Sequence, residues 1–248
     1  MKIDVIFTPS EINEIKRTDL HEAICVVFDV LRATSVIVTA LSNGAKSIIP
    51  AGSIHEALEL KRKYPDALLA GERDGFKIPS SLTGGIEFDF GNSPREFNPE
   101  KVSGKNIIIT TTNGTRAIKA AEGAKEILIC SLLNLKATAN FIASLKPSFA
   151  LFVCSGTKDR LTSEDVLAAG KLTDNLSDLN PDLSDSAIVA RDFFQFHRDN
   201  LNNIGALSAH ARKLLSHKEL ADDVPYCMQC DCLDLVAAYK NGLITRIN

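Results

Sequence analysis

Three segments of this chain set acidic, hydroxyl or amide groups between an apolar run and a run of helical character. In the first, Asp29 closes an apolar stretch and Arg32 follows, in the order Asp29-Val30-Leu31-Arg32-Ala33-Thr34-Ser35. Open α/β sheets bind ligands outside the carboxyl ends of their strands, so Asp29 and Arg32 are placed to project into such a crevice. The second is Thr110-Thr111-Thr112-Asn113-Gly114-Thr115-Arg116, where clustered hydroxyls, a glycine and a helix start present O–H and N–H donors to an anion. The third is Cys154-Ser155-Gly156-Thr157 with Ser163-Glu164-Asp165 a few residues on.

Each segment also suits a plain structural role. Asp29 is a good helix cap that could pair with Arg32, and Thr111 to Thr115 read equally as a Thr-rich turn. Glu164 and Asp165 complement a helix dipole, and neighbouring helical residues point about 100° apart, so only one of the two should face a site. A long stretch adds Gly71-Glu72-Arg73-Asp74-Gly75 and Gly91-Asn92-Ser93-Pro94, where Arg73 could grip a phosphate or carboxylate in bidentate fashion or stand in solvent. Near the C-terminus, Cys227-Met228-Gln229-Cys230-Asp231-Cys232 contains a Cys-x-x-Cys, but a structural zinc needs four ligands and no second pair exists. Asp231 is the residue there that a hard cation would seek. The five histidines, at 21, 55, 197, 210 and 217, are scattered, which disfavours a histidine-dependent hydrolase.

Elements that could position these groups follow from periodicity. Apolar, β-branched runs at 2–7, 23–28, 46–49, 67–70, 105–110, 126–130 and 149–154 are expected strands. Segments 33–43, 54–63, 115–122, 136–145 and 164–176 are expected helices, the second opened by Ser53 with Glu56 three residues on. The alternation predicts an α/β fold, its near-continuous apolar strands covered on both faces. Residues 71–99, rich in Gly, Ser, Pro and Asn, form a long connection and a candidate sub-lobe; 182–217 read as a helical C-terminal part and 231–247 as one or two returning strands.

The chain has 248 residues, 45% of them hydrophobic, enough for a real core in a single domain over 1–248. Apolar runs such as 24–28 and 107–109 fall far short of the about 20 residues that span a bilayer, and the N-terminus lacks a signal-peptide pattern. Six cysteines, several within apolar runs, suit reduced thiols, and a cytoplasmic protein is expected. A formal net charge of −3 with mixed signs supplies no basic field for nucleic acid and no polybasic membrane patch, so an anionic ligand must be held locally. A homodimer is compatible with this reading.

Taken in order, DVLRATS, GERDG, FDFGNSP, TTTNGTRAI, CSGT and SEDVLAAG resemble the 2-phosphosulfolactate phosphatase family of coenzyme M biosynthesis. The resemblance runs over about residues 29–170, with a weaker echo at 226–231, where the Cys-rich segment departs from the family pattern. It implies a three-layer α/β/α fold with a mostly parallel or mixed sheet, and Mg²⁺-dependent hydrolysis of a small phosphorylated and sulfonated acid. On that footing Asp29 is the expected nucleophile or general base. Arg32 and Arg73 would hold the carboxylate and sulfonate, with Asn92 and Ser93 beside them. Thr111, Thr112, Asn113, Gly114, Thr115, Ser155 and Gly156 would cradle the phosphate, and metal ligands would come from Glu72, Glu164, Asp165 and Asp231. Another small phosphorylated hydroxy acid as substrate, or a silent anion-binding module, are the alternatives.

Overall fold

The computed structural model describes residues 1–15, 19–201, 203 and 208–247. Its strands are β1 (Lys2–Ile6), β2 (Ala23–Phe28), β3 (Ser47–Pro50), β4 (Leu68–Arg73), β5 (Phe76–Lys77), β6 (Asn106–Thr110), β7 (Glu126–Cys130), β8 (Phe149–Cys154), β9 (Asp182–Leu183), β10 (Ala237–Lys240) and β11 (Leu243–Arg246). Its α-helices among the described residues are α1 (Pro9–Ile15), α2 (Ala33–Ser42), α3 (Ile54–Lys63), α4 (Pro99–Val102), α5 (Gly114–Ala120), α6 (Leu135–Leu145), α7 (Ser163–Asn175), α8 (Asp185–His197), α9 (Ala209–Leu215) and α10 (Asp223–Cys227).

All strands join one mixed sheet in the order β5-β4-β6-β3-β11-β10-β7-β2-β8-β1-β9. The expected α/β architecture is present, with helices on both faces. Within β2 the alternation is visible residue by residue: Ile24, Val26 and Phe28 face one core with α6, α7 and α8, while Ala23, Cys25 and Val27 face the other with α2 and α5. A third, smaller core lies where α3 covers β3, β4 and β6, and the 71–99 stretch lays Ile78 and Phe88 into it. Ser53 caps α3 by accepting from the Glu56 amide at 3.0 Å, as its spacing predicts.

Two blocks of parallel strands make up the sheet, β4-β6-β3 and β7-β2-β8-β1-β9. Between them sits the C-terminal hairpin β10–β11, antiparallel to both neighbours. The returning strands expected in 231–247 are therefore two, and they enter the middle of the sheet. Three antiparallel pairings in succession make the blocks run in opposite local senses. Five pairings separate β2 from β6, and about 20–25° of twist at each turns one block by roughly 100–125° relative to the other. Twist of that size is one contribution to the observed convergence, in which turns at the carboxyl ends of both blocks line one cleft. The 182–217 stretch holds β9, α8 and α9; residues 202 and 204–207 of it lie outside the described residues. No described helix is long and apolar enough to cross a membrane.

Candidate active site

Asp29 leaves the end of β2 and is 8% exposed. Its Oδ1 accepts from the Ala33 amide at 3.1 Å, and its own amide donates to Thr34 Oγ1 at 3.1 Å. The carboxylate thus braces the first turn of α2 while its other oxygen faces α5. A Cβ on Gly114 would stand 2.8 Å from Asp29 Oδ2 and 2.8 Å from Ala33 Cβ, so only glycine lets the 112–114 turn close on the acid.

A cleft of about 310 Å³ opens at this rim, and Asp29, Arg32, Glu72, Asn92, Thr112 and Asn113 line it. Glu72 comes from β4, where Glu72 Oε1 accepts from the amide and hydroxyl of Thr112 at 2.9 and 2.8 Å, and Oε2 accepts from the Gly75 amide at 2.8 Å. Asp74-Gly75 forms the tight turn of the β4–β5 hairpin, both with positive φ. Asn113 Nδ2 donates to Thr157 Oγ1 at 3.0 Å and ties the β6 turn to the β8 turn. Asn92 Oδ1 is buried without a hydrogen-bond partner among the described residues.

Behind Asp29 lies a second pair of acids from the start of α7. Asp165 Oδ1 accepts from the Val30 amide at 2.8 Å; its Oδ2 accepts from Thr162 Oγ1 at 2.7 Å and the Gly156 amide at 3.2 Å. Glu164 is 1% exposed, with Oε2 lacking a hydrogen-bond partner among the described residues. Burial lifts Asp29 to a pKa of about 7, and the nearby Asp165 charge adds to it. Glu164 and Asp165 also rise to about 7, again first through burial, then through repulsion within the acidic group. Both α7 acids are buried behind the cleft lining: the β8 turn wraps Asp165 while Glu164 is covered near Ser208.

The remaining residues singled out from sequence stand around the cleft or away from it. Arg73 turns back along β4, donating to the Glu72 carbonyl at 2.6 Å and to Thr110 Oγ1 at 3.2 Å. Thr111 and Thr115 bond each other, Thr115 N to Thr111 Oγ1 at 3.3 Å and Thr115 Oγ1 to the Thr111 carbonyl at 3.0 Å, which fixes the turn. Ser155 donates its amide to the Phe28 carbonyl at 2.8 Å, and its Oγ is buried without a partner among the described residues. Gly156, at φ +59°, packs so tightly against Pro9 and the Arg160 carbonyl that a Cβ would collide with both. Ser93 Oγ donates to Asp223 Oδ1 at 2.6 Å. Asp231 is set apart from these groups: Oδ1 accepts from the Lys136 amide at 2.7 Å at the start of α6, and Oδ2 pairs with Lys171 at 2.7 Å.

Other cleft residues went unrecognised in the sequence. Lys158 directly follows the recognised Cys154–Thr157 segment, and α9 brings His210 and Lys213 across the opening. Burial and the Arg32 charge push His210 down to about 4, so it is neutral near pH 7. Scattered positions along the chain gave no sign of this, because α9 reaches the cleft only through tertiary packing. Asp223, fully buried against Arg32 Nη1 at 2.6 Å, likewise belongs to no local motif. The oxygens in the cleft are of the hard type that Mg²⁺ prefers. Among the described residues no three His, Cys, Asp or Glu side chains converge as a ready-made metal cage.

Comparison with known proteins agrees with the motifs. The family model for 2-phosphosulpholactate phosphatase matches residues 6–242. A protein of Caldanaerobacter subterraneus subsp. tengcongensis named "Probable 2-phosphosulfolactate phosphatase" is 41% identical over 237 residues, covering 94% of each chain. Relatives with the same name from Clostridium tetani, 39% identical over 98% of this chain and 100% of theirs, and Thermotoga maritima, 39% identical over 97% and 96%, are similar throughout. The chain belongs to the 2-phosphosulfolactate phosphatase family.

Proposed function

We propose that this family member is a phosphoric monoester hydrolase that uses Mg²⁺ to convert 2-phosphosulfolactate into sulfolactate and inorganic phosphate. The observation that carries the reading is the meeting of Asp29 and Glu72 with Arg32, Lys158 and Lys213 around one cleft in a chain of this family. The volume suits a small ester. Phosphate, carboxylate and sulfonate together bring several negative charges, and in a chain of net charge −3 only local cations can offset them.

In this reading the phosphoryl group rests against the turn of Thr112, Asn113 and Gly114, which faces Asp29. Arg32 takes an acid group of the substrate. Arg73, which folds back onto Thr110 outside the cleft lining, gives way to Lys158 and Lys213 as partners for the other. Asp29 acts at phosphorus in one of two ways. As nucleophile, its carboxylate oxygen bonds phosphorus, the bond from phosphorus to the substrate's C2 oxygen breaks, and that oxygen takes a proton; water then hydrolyses the acyl phosphate and restores the acid. As general base, it removes a proton from the attacking water. Burial, and then the Asp165 charge behind it, keep Asp29 within reach of both protonation states near neutrality in the metal-free site.

The site fits the metal. Mg²⁺ commonly takes one or two carboxylates and completes its shell with waters and substrate phosphate, so the lack of a cage of three acids is compatible with it. Asp29 and Glu72, with the unpartnered Asn92 Oδ1 beside them, would hold the ion, which would neutralise charge on the phosphoryl oxygens. Asp231, bound to Lys171 and α6, is not part of that set.

Phosphate release from 2-phosphosulfolactate, 2-phospholactate and phosphoglycolate, each with Mg²⁺ and with excess chelator, tests the proposal. Chelator-sensitive release that favours the sulfonated ester is expected. Release from another ester alone would move the substrate assignment, and tight binding without release would leave an anion-binding module. Turnover of a phosphate ester chiral at phosphorus then separates the two roles of Asp29, since two in-line displacements through an aspartyl phosphate give net retention and direct attack by water gives inversion.

A further inference from the structure

Asp223 is 0% exposed and sits at the start of α10, more than 100 residues in sequence from the Arg32 and Ser93 side chains it holds. Its Oδ2 accepts from Arg32 Nη1 at 2.6 Å and its Oδ1 from Ser93 Oγ at 2.6 Å, with Arg95 Nε 3.8 Å from Oδ1. The second terminal nitrogen of Arg32 donates to the Gly75 carbonyl. One carboxylate therefore ties together the β2 exit, the 93–95 segment and α10. Arg95 also reaches Asp222 at 2.8 Å, a second link between the same two surface segments.

Stability alone is a weak reason for such an arrangement, because the cost of desolvating a buried pair offsets much of its attraction. Orientation is a stronger one. A guanidinium is planar and recognises a carboxylate or sulfonate through a fork of N–H groups, so its value depends on the angle at which the fork is presented. Arg32 is held by a carboxylate at one terminal nitrogen and a carbonyl at the other, and it lines the cleft beside Asp29 and Asn92. Asp223 in turn is fixed by Ser93, one residue from Asn92. Removing the Ser93 bond would leave the charge pair in place while letting its geometry drift.

We propose that Asp223 is a positioning residue that determines specificity: it fixes the Arg32 fork toward the substrate's second acid group, and Ser93 fixes Asp223. This rests on the phosphatase reading above and adds to it the residue that selects doubly acidic esters. Asp223 touches no substrate itself. Its contribution is therefore confined to ligands that engage Arg32.

The test compares wild type, Asp223→Asn and Ser93→Ala on 2-phosphosulfolactate and on p-nitrophenyl phosphate, which lacks a second acid group. Calorimetric titration with sulfolactate reads binding without turnover. For Asp223→Asn the KM for 2-phosphosulfolactate should rise about tenfold or more with kcat within about threefold, while kcat/KM for p-nitrophenyl phosphate changes less than about threefold. Ser93→Ala, the milder change, should shift selectivity the same way by about threefold, and it decides the matter if the Asp223 variant fails to fold. Sulfolactate affinity should fall in the same order. Parallel losses on both esters, or unchanged selectivity in a folded variant, overturn the proposal. Should the wild type release no phosphate from either ester, the phosphatase reading fails by itself. The titration then judges Asp223 alone, and equal affinity in wild type and variants, or no binding by the wild type, rejects it.

Discussion

Replacing Asp29 with asparagine should stabilise the metal-free protein while removing its activity, and the stabilisation should depend on pH. In the fold, burial and the Asp165 charge raise Asp29 from 3.8 to about 7. A raised carboxylate pKa means that its stability contribution is complete below the unfolded pKa and is lost as pH climbs through 3.8 toward 7. At pH 8 the wild type carries the full cost of an ionised Asp29, about 4 kcal/mol for a rise from 3.8 to about 7. Asparagine carries none of that charge. Its Oδ1 can still accept from the Ala33 amide, and an amide N–H replaces the oxygen opposite Gly114 at a cost of about 1 kcal/mol. The net gain is about 3 kcal/mol, or about 6–12 °C in Tm at two to four degrees per kcal/mol for a chain of this size. Thermal melts at pH 5 and pH 8 in excess chelator provide the assay, with phosphate release measured separately on the Mg²⁺-loaded protein. Turnover should drop by at least about 100-fold. A Tm that falls at pH 8, or a gain equally large at pH 5, would refute the assignment of Asp29 as a charge held at a cost, and near-normal turnover in a folded variant would refute its chemical role.

Three other expectations follow from single contacts. Gly114→Ala forces a methyl within 2.8 Å of both Ala33 Cβ and Asp29 Oδ2; it should cost about 1–3 kcal/mol in denaturant melts and cut kcat more than it raises KM, because the displaced atom is the acid itself. His210 falls from 6.5 to about 4, so its contribution is complete above pH 6.5 and is lost as pH drops through that window, up to about 3 kcal/mol by pH 4. The stability difference between wild type and His210→Gln should accordingly shrink by that amount between pH 7 and pH 4, and a pH-independent difference would contradict a neutral, partly buried imidazole. Asp231→Ala should leave phosphate release within about twofold and cost only about 1 kcal/mol, from the α6 cap and a half-buried ion pair. A large activity loss there would return Asp231 to the metal site.

Much of the cleft was legible because its parts sit at strand ends, where an apolar run stops and chemistry-bearing residues begin. Asp29, Glu72 and the Thr110–Asn113 turn all obey that rule, and the rule is local. Arg73 shows its limit: the residue type suits anion binding, but a side chain on an extended strand alternates direction, and here it folds back onto Thr110. Glu164 and Asp165 were placed correctly at a helix start, yet their joint burial depends on the β8 turn and on a residue more than forty positions away, Ser208. His210 and Asp223 lie on short helices of the C-terminal part; nothing within a few residues marks His210, and the 226–231 echo beside Asp223 does not include it. Their importance comes entirely from what α9 and α10 pack against, which a single sequence does not encode in any spacing.

The sheet explains why residues so far apart can share one cleft at all. Glu72 and Thr112 close strands of one parallel block, Asp29 and Thr157 follow strands of the other, and the two blocks run in opposed local senses across the β10–β11 hairpin. In a flat sheet the two sets would lie at opposite ends. Accumulated twist over the five pairings between β2 and β6 is one contribution to their convergence. On the β3 side that hairpin is registered through Ile244 and Ile48, both buried in the core shared with α2. A C-terminal segment that lines no part of the cleft thus forms the apolar middle of the sheet between the two blocks whose strand ends carry Asp29 and Glu72.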